Sequence, residues 1–96
     1  MTADNPFHQF QMILKPIEKA LRAENVEAAL RFTGNLFEIG GSPKEFQDRK
    51  VHVLVRAMEG ATPSVKTAFT AKVLERFGAH LSEDARARLA SPLERL

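Results

Sequence analysis

Four of the five prolines in the chain directly follow an Asn, Ser or Thr: Asn5-Pro6, Ser42-Pro43, Thr62-Pro63 and Ser91-Pro92. A short polar side chain can accept a hydrogen bond from the free N–H groups of a helical first turn. Proline fits the first helical position because its missing N–H is not needed there. The repeated pair therefore marks where helices start and restart, and it narrows the chain to helices joined by short links. Between these marks the apolar residues recur every three or four positions, and no useful run of period-two alternation occurs.

The segment 42–60 is the most completely punctuated. Ser42 is placed to cap, Pro43 to open the first turn, and Glu45 to close a capping box with Ser42. Gly60 stands where a left-handed C-cap is wanted. At about 100° per residue, Phe46, Val51, Val53, Leu54, Val55, Ala57 and Met58 share an arc of roughly 200°. That is wider than the single stripe of a surface helix, so neighbours are expected on two sides. Asn25 is the expected cap of a preceding helix with a similarly wide arc, from Val26 through Leu30 and Phe37 to Ile39. Gly34 interrupts it at a cost of about 1 kcal/mol in helix propensity, unless a neighbour approaches closely. Gly40-Gly41 ends it, and the short link suits an antiparallel hairpin with the next helix.

A first helix is read from Phe7, Phe10, Ile13, Leu14, Ile17 and Leu21, with Pro16 expected to kink it. Thr62-Pro63 opens a fourth, carrying Val65, Phe69, Val73 and Phe77 and closed by Gly78. Ser82 introduces a fifth with Ala85, Leu89 and Leu93, and Pro92 is expected to fray or restart its last turn. The expected fold is all-α: a compact bundle of four to five short helices with a central antiparallel hairpin of the second and third. Ninety-six residues make one domain, 1–96, with a loose tail over 1–4.

Composition removes several kinds of chemistry. The chain has no Cys, hence no disulfide framework, no thiolate nucleophile and no cysteine-ligated metal. His8, His52 and His80 lack the i, i+4 spacing of a helical metal pair, and the serines read as caps. No catalytic, metal-binding or cofactor-binding residues are assigned, and the chain is read as no enzyme. The start of the chain has no basic n-region and no long apolar run follows, so a cytoplasmic location without membrane contact is expected. The Ala- and Arg-rich run Asp84–Ala90 suits a bacterial protein.

Charge is unevenly placed. Residues 1–48 carry 5 basic and 7 acidic side chains, and residues 49–96 carry 9 and 5, so the halves stand at −2 and +4. Two binding functions follow. The first is a regulatory module that binds another protein or self-associates, as a homodimer. Its expected interface is Phe46, Lys50, Leu54, Met58 and Arg76, because Lys50 and Arg76 intrude on apolar arcs from which long basic side chains snorkel to a rim. The alternative is a DNA-binding transcriptional regulator using the third and fourth helices as a helix-turn-helix-like pair, with Arg49, Arg56, Lys66, Thr67 and Lys72 at the DNA. Glu75 on the exposed face of that fourth helix weighs against this alternative, since phosphates would repel it.

Overall fold

The structure is a computed structural model that describes residues 6–94, with side chains described over 8–90. The tail expected over 1–4 lies outside the described residues, as do the side chains of Phe7 and Leu93. Five α-helices follow in order: α1 (Pro6–Arg22), α2 (Val26–Glu38), α3 (Gln47–Met58), α4 (Pro63–Phe77) and α5 (Glu83–Glu94). A 3₁₀ turn at Gly78–His80 links the last two. No strand occurs among the described residues. The Cα radius of gyration, 12.5 Å, is that of a compact chain of this length, about 12–13 Å.

Three of the starts read from the sequence are made as expected. Asn25 accepts from the Ala28 N–H at 3.1 Å, Thr62 from Val65 at 3.3 Å and Ser82 from Ala85 at 3.1 Å. Pro63 occupies the first turn of α4. Gly40 and Gly41 take positive φ, 91° and 84°, and stop α2. Helix α1 runs unbroken through Pro16, so it does not restart there.

The start of α3 differs from expectation. Ser42 and Pro43 form a turn, in which Ser42 Oγ accepts from Lys44 at 3.4 Å and Ser42 O from Glu45 at 3.1 Å. The helix begins only at Gln47, after Phe46 has taken the left-handed conformation at φ 59°, ψ 36° with no side-chain cap. Gly60 is not a left-handed cap, since α3 ends on Glu59 in right-handed conformation, whereas Gly78 closes α4 as expected.

The centre of the bundle also moves. Helix α1 packs extensively on both α2 and α3, whereas α2 and α3 touch each other over a small area. Helix α4 rests mainly on α2, and α5 leans on α3 and α4. The wide arcs of α2 and α3 are therefore explained by α1 on one side and by α4 and α5 on the other. The core runs from Phe10, Ile17 and Leu21 through Leu30, Leu36, Leu54 and Met58 to Phe69, Val73 and Leu89. Phe37 and Phe77 stack at 4.7 Å where α2 meets α4. Two ion pairs brace the outside, Glu27–Arg76 between α2 and α4 and Asp48–Arg88 between α3 and α5.

Candidate functional site

Helix α3 presents two cations at adjacent positions with opposite surroundings. Lys50 lies in the apolar arc and is 0 % exposed. Its ammonium donates to Phe37 O at 2.9 Å, Ser42 O at 3.1 Å and Pro43 O at 3.4 Å. These carbonyls belong to the end of α2 and the following turn, where helical partners have run out. A long cationic side chain is thus an internal strut that ties the α2–α3 link to α3. Burial pulls its pKa below the ordinary 10.5, opposed by the nearby Glu45 carboxylate.

This placement corrects the interface read from the sequence. Lys50, Leu54 and Met58 are each fully buried within the chain, so none of them can meet a partner. The physical reason is that neighbours close over them: the end of α2 and the following turn over Lys50, Thr70 of α4 at Met58, and α1 and α5 packed along α3. Arg76 is exposed but pairs with Glu27 across the α2–α4 contact at 3.6 Å. Of the five residues, Phe46 alone remains a large apolar side chain at the surface, 39 % exposed.

Arg49 begins the other face. Arg49, His52 and Arg56 lie at i, i+3 and i+7, within about 60° of one another on the helix, and all three are exposed. Opposite them, Phe10, Gln11 and Leu14 occupy about 100° of α1 by the same geometry. The two sets line an open groove of about 240 Å³ between α1 and α3, whose remaining lining residue is Val53. Phe10 and Val53 are buried and Leu14 is half-buried, so they make an apolar floor. Gln11, Arg49, His52 and Arg56 make the polar rim, and among the described residues no carboxylate lines the groove, although Glu59 pairs with Arg56 at 3.7 Å. At the Phe10 end the floor continues onto Phe46, whose ring meets Phe10 edge-on at 5.8 Å.

The DNA-contact set is not gathered at this groove. Arg49 and Arg56 line it, but Lys66, Thr67 and Lys72 stand on α4, which makes only slight contact with α3. Thr67 donates its hydroxyl to Pro63 O at 3.0 Å, and Lys72 pairs with Glu75 at 3.8 Å. The α3–α4 contact is narrow and includes the buried hydrogen bond from the Thr70 hydroxyl of α4 to Met58 Sδ of α3, at 3.3 Å.

Among the described residues no three His, Asp or Glu side chains gather as a metal site would require. No helix among them is long and apolar enough to cross a membrane. Sequence reasoning missed Gln11 and His52 as groove residues and α1 as a wall. The available signal was the i, i+3, i+7 basic stripe bordering Val53. A comparison with known proteins finds no matching family, no matching curated protein and no matching solved structure.

Proposed function

We propose that the protein is a small binding module that takes a segment of another protein into the α1/α3 groove, in a regulatory and not an enzymatic role. The observation that carries this reading is the groove itself: an apolar floor between two helices, with a polar rim along one side of α3. Its 240 Å³ falls below the ~300–1,000 Å³ of pockets that enclose small ligands. It equals the volume of about eight waters, suited to an anchoring side chain from a larger partner. Recognition of an amphipathic helix in an apolar groove works through such anchors. DNA is the second reading, supported by Arg49 and Arg56 alone, and an apolar floor contributes nothing to phosphate contact.

The test is a photoreactive residue in place of Gln11, activated in the source cell. A protein adduct at Gln11 that is missing when the same probe replaces Ala71, exposed on α4, is the expected result. Adducts with nucleic acid alone, or protein adducts equally strong at Ala71, overturn the reading.

A further inference from the structure

We propose that the α2–α3 link, residues 40–46, is a lid over the Phe10 end of the α1/α3 groove, with Lys50 as its latch. Its use, to admit a partner, rests on the groove reading; the lid itself rests on the geometry of the link.

The link has a hinge at each end. Gly40 and Gly41 hold φ at 91° and 84°, and Phe46 holds it at 59°. Glycine enters this left-handed region freely, whereas a phenylalanine there is held against its own preference. Changes of φ and ψ at such positions swing a segment while the helices on either side stay folded. Residues 43–46, between the hinges, are exposed.

Lys50 pins the segment from below. Its ammonium donates to Ser42 O and Pro43 O inside the link and to Phe37 O on α2. One buried group therefore bonds on both sides of the Gly40–Gly41 hinge and fixes the angle across it. Helices α2 and α3 touch each other over only a small area, so this angle matters to how the link sits.

Phe46 is the part of the lid that covers. Its ring meets Phe10 edge-on at 5.8 Å, and Phe10 is only 2 % exposed although it lines the groove. A Cβ at Gly40 would come within 2.7 Å of the Phe46 ring, so the ring lies over the first hinge as well. An outward swing lifts Phe46 from Phe10 and extends the apolar floor beyond Leu14 and Val53. The same movement relieves the left-handed backbone at Phe46, and loss of the Lys50 hydrogen bonds opposes it. The closed lid is the resting state, and the latch sets the population of the open one. A partner that places an apolar side chain against Phe10 takes the place of the Phe46 ring and selects the open state.

The experiment is amide-resolved hydrogen exchange on the full chain without a partner. Three amides report the lid: Gly41, bonded to Glu38 O at the first hinge; Glu45, bonded to Ser42 O within the link; and Lys50, bonded to Phe46 O at the second hinge. The amide of Leu54, a fully buried residue within α3, reports global unfolding. The three lid amides are expected to share one protection factor, at least about tenfold below that of Leu54. Lys50→Met removes bonds that both opening and unfolding break, so the lid amides and Leu54 should all accelerate by the same factor, roughly tenfold. Lid amides as protected as Leu54 would overturn the proposal, because the link would then open only with the whole fold. A Lys50 amide that keeps the protection of Leu54 while Gly41 and Glu45 exchange faster would also overturn it, since Phe46 then stays over Phe10. So would lid amides that Lys50→Met leaves unchanged while Leu54 accelerates, which makes the ammonium no latch. The first two outcomes need only the unmodified chain and do not depend on the variant folding. Failure of the lid leaves the groove reading standing, and failure of the Gln11 adduct leaves the lid but removes its use.

Discussion

The two faces of α3 use the same charge for opposite ends. On one, Lys50 is sealed in the core and answers three backbone carbonyls of the α2–α3 link. On the other, Arg49, His52 and Arg56 stand along an open groove. By helix position Lys50 is the anomaly, a charge among Val51, Val53 and Leu54, and the arginines look like ordinary solvated surface. The structure reverses that weighting. A buried cation with full hydrogen bonding is part of the frame, whereas the exposed cations border an apolar floor. A charge in an apolar arc is therefore no sign of an interface until its hydrogen-bond partners are known.

The largest effect should come from reversing the strut. Lys50→Glu places a carboxylate against carbonyl oxygens in the core and is expected to cost about 3–5 kcal/mol, enough to unfold much of a domain this small. Chemical denaturation reads it; a folded Lys50→Glu protein of normal stability would mean that the side chain lives outside the core. Lys50→Met keeps the stem and removes the donor, leaving Phe37 O short of a partner. A loss of about 1–3 kcal/mol is expected in the same assay. Arg49→Gln with Arg56→Gln should change stability by less than about 0.5 kcal/mol and register instead in groove binding. That contrast fails if the arginine pair destabilises as much as Lys50→Met.

The pH dependence is the smallest and the most specific of these effects. The unfolded chain holds the Lys50 proton up to the ordinary pKa of 10.5, while burial lowers the folded value. Between the two values the unfolded state binds more protons, so stability rises with pH across that window. Denaturation midpoints of the unmodified chain, compared with Lys50→Met, should therefore shift in favour of the unmodified chain as pH climbs toward 10.5. A flat difference would show that Lys50 titrates as it does in water, and a shrinking one that folding raises its pKa; either contradicts burial as the controlling influence.

What was legible in the sequence was what depends on neighbours a few residues away. Asn25, Thr62 and Ser82 cap as expected because each hydroxyl or amide finds its N–H within three positions. Ser42-Pro43 has the same local grammar but does not start α3: Lys50 donates to the carbonyls of both residues from seven and eight positions away, a contact outside the reach of local pattern. Gly60 looks like a left-handed cap; instead it lies beneath the exposed Arg22 side chain, whose Nε is 2.8 Å from where a Cβ would be and is free to swing away. Gly34 is the converse case. A Cβ there would sit 4.0 Å from Phe77 Cζ, ordinary contact, so no close approach requires glycine. Gly34→Ala should accordingly stabilise the protein by about 0.5–1 kcal/mol, and a loss would indicate that the α2–α4 contact is tighter.

The groove was illegible for a different reason. Its walls come from Phe10–Leu14 and Arg49–Arg56, far apart in the chain, and their meeting depends on α1 occupying the centre of the bundle. Periodicity shows that α1 has an apolar face; it does not show which helices that face meets. The basic stripe on α3 was readable, and the DNA reading drew Arg49 and Arg56 from it. Lys66 and Lys72 were added by analogy with a helix-turn-helix pair, and they stand on α4, away from the groove.

The most direct test of the account is where a photoreactive side chain captures protein in the source cell. A protein adduct at position 11 of the α1/α3 groove, with none at Ala71 on α4, is the expected result. Equally strong protein adducts at Ala71, or adducts with nucleic acid alone, would contradict it.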